Sequence, residues 1–169
     1  MTKKPENLFE ILSLQKSFDL DLKKLEENYF ACQSQWHPDR FTGKSDAEKL
    51  AATQNSVEVN QAYNILKDPR KRAQYMLSLE GIKVNCDDAN VKPSQELLIR
   101  VMEQRDELSE CVDKDKLREL LISADSEKQE LIAKIKKDFT DGDLTQAAQS
   151  VINLRYIEKY IEEIKQQIK

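Results

Sequence analysis

Glycine and proline are scarce in this sequence, which has three glycines and four prolines among its 169 residues. Because these residues supply most tight turns, their scarcity predicts long helices joined by few loops. Aromatic residues make up 7% of the chain, enough for small cores but not for one large core. A content of 39% hydrophobic and 34% charged residues is ordinary for a helix-rich protein. The length allows one domain or two small ones.

Metal ligands are also few. The chain has one histidine and three cysteines, Cys32, Cys86 and Cys111, with no Cys-x-x-Cys pair. One chain of this composition cannot assemble a zinc site or a cysteine-ligated cluster in the usual way. An odd number of unpaired thiols is typical of a reducing compartment. We therefore expect no metal and no other cofactor.

No stretch of the sequence approaches the roughly 20 apolar residues of a membrane span. The first ten residues also lack the apolar run of a signal peptide, and no transit peptide is seen. The sequence thus predicts a cytoplasmic protein that does not bind membranes.

The net charge of -4 is unevenly distributed. Residues 1–80 contain 12 basic and 12 acidic side chains, whereas residues 81–169 contain 15 basic and 19 acidic side chains. Binding to phosphate backbones requires a basic stripe, so this distribution disfavours a nucleic-acid partner. An acidic second half instead favours a basic protein surface.

Apolar spacing predicts three helices in the first half. A short helix lies near residues 7–14. The second helix has one apolar stripe, formed by Leu22, Leu25, Tyr29, Cys32 and Trp36. Ser45 and Glu48 form a capping box that starts the third helix, and Asp68-Pro69 ends it. We expect its inward face to consist of Leu50, Val57, Ala62, Tyr63 and Leu66.

The second half begins with helical spacing over 70–79 and then loses periodicity over 81–94, which marks a boundary. Three helices follow, at about 94–111, 115–139 and 143–169. Their connections are short, so neighbouring helices are antiparallel. Leu97, Val101 and Leu108 form the inward stripe of the first of them.

The tripeptide His37-Pro38-Asp39 uses the only histidine and separates two helices. Proline cannot continue the preceding helix and biases His37 away from helical geometry, so the tripeptide forms a turn with outward side chains. A tripeptide alone is weak evidence. An ordinary surface turn, with Asp39 as a helix cap, is the alternative.

The flanking residues resemble a known family. Residues 35–41 (QWHPDRF) and 59–69 (VNQAYNILKDP) resemble a J domain, the module that stimulates heat-shock ATPase chaperones. Residues 72–81 (RAQYMLSLEG) are similar to the HscB type, the J protein of iron-sulfur cluster assembly. The resemblance implies an all-α chain with a J domain, a helical hairpin with a His-Pro-Asp loop, at 1–72. A bridging segment at 73–93 and an antiparallel three-helix bundle at 94–169 would follow.

The resemblance also implies two binding sites. The turn would dock on an HscA-type ATPase chaperone, with Asp39 engaging a basic residue and His37 completing the contact. The full set implied for this site is His37, Pro38, Asp39, Arg40, Lys23 and Lys24. A purely solvated role for Lys23 and Lys24 is an equal alternative, because Asp21, Glu26 and Glu27 offset their charge.

The second implied site binds an IscU-type iron-sulfur scaffold protein. Its residues would be Leu98, Ile99, Met102, Glu103, Asp106, Glu110 and Tyr156. Spacings of three and four place those of the first bundle helix on one surface, an apolar patch rimmed by acids. The alternative is that Leu98, Ile99 and Met102 are additional core residues of the bundle.

The resemblance thus implies a co-chaperone that delivers the scaffold to the chaperone, stimulates its ATPase and promotes cluster transfer. It would not be an enzyme. Cys32 shares the apolar stripe, away from the turn of His37 and Asp39, and glycines for a phosphate loop are missing. Two further hypotheses stay open: a general J-domain co-chaperone that binds unfolded clients, and a helical adaptor with an incidental tripeptide.

Overall fold

A computed structural model describes residues 6–169, and in that range the chain forms seven α-helices and one short 3₁₀ helix. The predicted all-α fold is confirmed. No helix in this range is both long enough and apolar enough to span a membrane. In chain order the elements are α1 (Leu8–Ile11), α2 (Leu22–Trp36), the 3₁₀ helix (Pro38–Phe41), α3 (Asp46–Leu66), α4 (Pro69–Leu79), α5 (Gln95–Glu110), α6 (Lys114–Asp141) and α7 (Leu144–Ile168).

Two compact units divide the chain between Arg72 and Ala73. Helices α1 to α3 belong to the first unit, and α5 to α7 belong to the second. Residues 73–93, which the sequence analysis treats as a bridging segment, are grouped with the second unit. Within this segment Asn90 accepts a hydrogen bond from the backbone N–H of Lys83 and donates one to the carbonyl of Gly81.

The capping box predicted at the start of α3 is confirmed. Ser45 Oγ accepts a hydrogen bond from the backbone N–H of Glu48, and the Glu48 carboxylate accepts one from the backbone N–H of Ser45 at 2.9 Å. The Ser45 hydroxyl also donates to the Glu48 carboxylate at 2.7 Å, and this hydrogen bond, together with the one from the Ser45 backbone N–H, lowers the pKa of the Glu48 carboxyl. Asp21 caps α2 in a similar way, accepting from the backbone N–H groups of Lys23 and Lys24.

Helices α2 and α3 pack antiparallel. The ring of Tyr29 stacks on Tyr63 with 4.1 Å between centroids, and its hydroxyl donates to Asn60 Oδ1 at 2.8 Å. One turn further along α2, the Gln33 amide donates to the same Asn60 oxygen, and Ser56 donates to Gln33. Apolar packing and satisfied polar groups therefore fix the same register between the two helices.

The inward face predicted for α3 is wrong in part. Leu50 and Val57 are 60% and 58% exposed, whereas Ala52 and Val59 are buried. At about 100° per residue, Leu50 and Val57 form a stripe of their own on the side away from Val59. The helix thus carries two apolar stripes, and packing against α2 buries the one that also contains Ala62 and Leu66. Leu22 of the stripe predicted for α2 is also exposed, at 55%; it is the first residue of that helix.

The end of the first unit is anchored by Arg72, which is 6% exposed. Its guanidinium donates to the carbonyl of Leu66, the last residue of α3, at 2.6 Å and lies 5.0 Å from the centre of the Phe18 ring. Burial lowers the pKa of this guanidinium. The carbonyls in the final turn of a helix have no N–H partner within that helix. Arg72 supplies the missing hydrogen-bond donor for the Leu66 carbonyl.

In the second unit, α6 and α7 pack against each other along much of their length, and α5 packs on α7. The turn between α6 and α7 contains Gly142 with φ of 76°, a left-handed conformation that glycine adopts without a Cβ clash. The predicted antiparallel bundle is confirmed. Its fully buried residues from α7 include Ala147, Val151, Leu154, Ile157 and Ile164.

A polar cluster that was not predicted from the sequence also joins α6 to α7. Lys134 Nζ donates to Asp138 Oδ2 at 2.9 Å and to Ser150 Oγ at 3.1 Å, while Ser150 Oγ donates to the same Asp138 oxygen at 3.2 Å. Asp138 and Ser150 are buried. Lys134 itself is exposed, so the buried groups of the cluster are the Asp138 carboxylate and the Ser150 hydroxyl, and each is a hydrogen-bond partner of the other.

We expect Asp138→Ala to lower the free energy of unfolding by about 2 kcal/mol, because the buried hydroxyl of Ser150 loses its acceptor and Lys134 loses one of its partners. Urea denaturation followed by circular dichroism measures this loss. Asp125→Ala, at an exposed position of the same helix, is the matched control and should change stability by less than about 0.5 kcal/mol. Equal effects of the two substitutions would contradict a role for the cluster.

Candidate functional site

The His-Pro-Asp tripeptide lies at the start of the 3₁₀ helix, in the connection between α2 and α3. His37 is the N-cap, with extended backbone angles, and Pro38 occupies the first helical position, where its missing N–H is not needed. The Nδ1 atom of His37 accepts a hydrogen bond from the backbone N–H of Asp39 at 3.3 Å. The side chains of His37 and Asp39 are 58% and 90% exposed. The chain therefore presents both to solvent.

Two contacts hold this loop in place. The Arg40 guanidinium donates to the carbonyl of Ser34 in the last turn of α2 at 3.2 Å. The rings of Trp36 and Phe41, on either side of the tripeptide, stack with 6.2 Å between centroids. Arg40 thus closes the loop as well as carrying a charge at the surface. The sequence carries no signal for this hydrogen bond, because its acceptor is a backbone carbonyl.

Lys23 and Lys24 are exposed in the first turn of α2, at the end opposite the tripeptide. The helix has 15 residues, so about 20 Å of helix separates these lysines from His37. The structure does not bring the predicted cations together with the turn. Between them lies Phe30, which is 60% exposed, packs on Tyr29 and was not predicted as a surface residue of interest. In the sequence, Phe30 lies outside the apolar stripe of Leu25 and Tyr29, and this position could have predicted that its side chain is exposed.

The thiol of Cys32 contacts the backbone of α1. It is half-buried and lies 3.7 Å from the carbonyl of Ile11, to which it donates. Burial raises the pKa of the Cys32 thiol. A raised pKa lowers the thiolate fraction, so this thiol is a poor nucleophile.

The six α5 residues predicted to bind the scaffold lie together on the outer surface of that helix. All six are exposed, and Met102 is the most exposed of the three apolar ones at 67%. Leu97 and Leu108 are buried on the opposite side. The alternative in which Leu98, Ile99 and Met102 belong to the bundle core is therefore wrong. This surface, formed by Leu98, Ile99, Met102, Glu103, Asp106 and Glu110, is called the α5 face below.

Ion pairs border the α5 face on both sides. Arg100 pairs with Glu127 of α6 at 2.8 Å, and Arg105 approaches Glu163 of α7 at 3.4 Å. Such half-exposed pairs contribute little stability individually. Together they restrict rotation of α5 about its axis, since one holds each flank.

Tyr156 lies at the edge of the α5 face and not within it. Its half-buried side chain lines a narrow groove between α5 and α7 together with Val101 and Arg105. Val101 and Arg105 are each three residues beyond Leu98 and Met102, and residues three apart are neighbours on a helix surface. The structure thus makes Tyr156 continuous with the apolar part of the face.

Comparisons with known proteins cover both units. A family model described as the DnaJ domain matches residues 7–75, and one described as the HSCB C-terminal oligomerisation domain matches residues 93–165. The Co-chaperone protein HscB homolog of Shewanella loihica is 36% identical over 160 residues, which cover 90% of this chain and 92% of that protein. The homolog from Burkholderia mallei is 35% identical over 163 residues, covering 95% and 93%.

Solved structures agree. The chaperone HscB from Vibrio cholerae superposes with a TM-score of 0.84 at 30% identity, covering 95% of this chain and 96% of that one. Human co-chaperone protein HscB superposes with a TM-score of 0.88 at 27% identity, covering 97% of this chain and 83% of that one. The family that the sequence resembles is confirmed: this chain belongs to the HscB-type J-domain co-chaperones.

Proposed function

We propose that this protein stimulates the ATPase of an HscA-type heat-shock chaperone and delivers an IscU-type iron-sulfur scaffold protein to it, promoting cluster transfer in the cytoplasm. It performs no chemistry of its own. The observation that carries the proposal is the exposed His37 and Asp39 pair on a loop tied down at both ends. A fixed, outward loop between two packed helices is suited to docking.

Fixing the loop before binding matters energetically. Ordering a mobile loop at an interface costs free energy that would otherwise appear as affinity. The Arg40 hydrogen bond and the stacked rings of Trp36 and Phe41 reduce that cost, because they order the loop before it binds. The docked loop accelerates hydrolysis only if it binds the hydrolysis-competent conformation of the chaperone better than the resting one.

The hydrogen bond at His37 determines which groups the loop offers. Because Nδ1 accepts from the backbone N–H of Asp39, a neutral imidazole carries its proton on Nε2. His37 therefore presents an N–H donor, and the adjacent carboxylate of Asp39 presents acceptors. A chaperone surface with a backbone or side-chain oxygen beside a basic residue would match this pair.

The α5 face supports the delivery half of the proposal. Three exposed apolar side chains, Leu98, Ile99 and Met102, adjoin the acids Glu103, Asp106 and Glu110. An apolar centre with a charged rim is the usual anatomy of a specific protein interface. Acids at the rim favour a scaffold with a basic surface, and their contribution is mainly to specificity and association rate.

We expect His37→Gln or Asp39→Asn to reduce stimulation of the chaperone ATPase by tenfold or more, since each removes one member of the donor and acceptor pair. Steady-state phosphate release measures the effect. Asp46→Asn, at a fully exposed carboxylate in the first turn of α3, is the matched control and should retain stimulation within about twofold. Unaltered stimulation by both tripeptide variants would refute the docking role.

We expect the neutral His37 ring to show the Nε2–H tautomer in nitrogen-15 NMR at a pH where it is uncharged, because Nδ1 is the acceptor. As the only histidine in the chain, it needs no assignment. Long-range proton-nitrogen correlation distinguishes the two ring nitrogens. A neutral ring with the proton on Nδ1 would contradict the hydrogen bond and the donor role of Nε2.

We expect Met102→Ala combined with Tyr156→Ala to weaken binding of the IscU-type scaffold about tenfold or more, because exposed apolar anchors dominate such interfaces. Isothermal titration calorimetry measures the affinity. Ile122→Ala, at an exposed apolar residue of α6, is the control and should leave it unchanged. ATPase stimulation by the variant without scaffold should persist. Equal binding of folded scaffold and a denatured polypeptide would favour a general client-binding co-chaperone instead.

A further inference from the structure

A second groove opens beside Tyr156, between residues 85–93 and α7. Its volume is about 290 Å³, and its lining includes Asn85, Asp87, Lys92, Arg155 and Tyr156. All of these residues belong to the second unit. This space is called the linker groove below. Because Tyr156 also borders the α5 face, the groove and the face meet at that side chain.

Two cations that form no ion pair with any described residue line the linker groove, which also contains one carboxylate. Lys92 and Arg155 are exposed, and neither side chain makes a hydrogen bond or ion pair within residues 6–169. Asp87 is the single carboxylate among the described residues that line the groove. The buried side-chain nitrogen of Asn85 also lacks a hydrogen-bond acceptor in the described part of the chain. The groove therefore has an excess of positive charge and of hydrogen-bond donors.

Charge changes sign along this surface. Lys92 lies three residues before α5 begins, whereas Glu103, Asp106 and Glu110 lie in its second half. Glu96 is also near the beginning of α5, but at about 100° per residue it lies at least 140° around the helix from Val101 and Arg105, away from Tyr156. The basic end and the acidic end are thus separated by the apolar residues of the α5 face.

We propose that the linker groove binds an acidic segment of the scaffold protein, whose carboxylate pairs with Lys92 and Arg155. The inference rests on the proposed binding of the scaffold to the α5 face. A partner with a basic surface opposite Glu103, Asp106 and Glu110 and an acidic segment opposite Lys92 and Arg155 fits in one direction only. The reversed orientation would place like charges together, which opposes it.

The test compares three variants of the full chain by calorimetry with purified IscU-type scaffold. Lys92→Ser with Arg155→Ser should weaken binding about tenfold, and the affinity should depend less on salt than in the unaltered protein. Lys92→Arg with Arg155→Lys keeps both charges and should bind within about threefold of the unaltered protein. Lys165→Ser, which removes an exposed cation from the last turn of α7, should have no effect. Thermal melts establish that all three variants fold.

The outcomes separate this inference from the proposed function. If the serine double variant binds normally while Met102→Ala with Tyr156→Ala does not, the linker groove is not part of the interface and the α5 face still is. If the charge-preserving variant loses as much affinity as the serine variant, the loss reflects packing, and the carboxylate pairing is wrong. If the unaltered protein binds no scaffold, both proposals fall. If sedimentation shows altered self-association and scaffold affinity is unchanged, a second copy occupies the groove and the inference is overturned.

Discussion

The packing of α2 on α3 is the constraint on which the candidate chaperone site depends. Tyr29, Gln33, Asn60 and Tyr63 fix the register of the two helices through one ring stack and shared hydrogen bonds. That register decides where α2 ends relative to the start of α3, and therefore how far the loop must reach. With the helix ends fixed, the 3₁₀ helix, the Arg40 hydrogen bond and the Trp36–Phe41 stack hold the loop so that the side chains of His37 and Asp39 remain exposed to solvent.

The candidate scaffold site depends on a different geometric fact. Helix α5 buries only one stripe, through Leu97 and Leu108, so the rest of its circumference remains outside the bundle. A helix that contributes one stripe to a core can expose apolar residues on the other side without disturbing that core. Leu98, Ile99 and Met102 are therefore not required for packing, which makes them informative about binding. The two candidate sites lie on separate units and do not share a residue.

The sequence predicted the fold well where the signal was local. Capping by Ser45 and Glu48, the stop at Asp68-Pro69, and the short connections of the bundle follow from steric and hydrogen-bonding rules that act over a few residues. The prediction was wrong for α3, where either of two apolar stripes could face the core. Both stripes of α3 are apolar, and only the partner helix decides that Val59 is buried and Val57 is not. The bond from Arg40 to Ser34 and the cluster of Lys134, Asp138 and Ser150 depend on distances in the folded chain. The site residues came from family resemblance, and their roles remain predictions.

Arg72 has a practical consequence for anyone who wishes to study the first unit alone. It is the last residue of that unit, yet it lies within α4, which continues to Leu79. A fragment ending at Arg72 would place its buried guanidinium on a terminal residue, where helices fray and side chains lose their fixed direction. The Leu66 carbonyl and the Phe18 ring would then lose their partner. An isolated J domain of this protein should accordingly be expressed through Leu79, so that the anchor stays inside a complete helix.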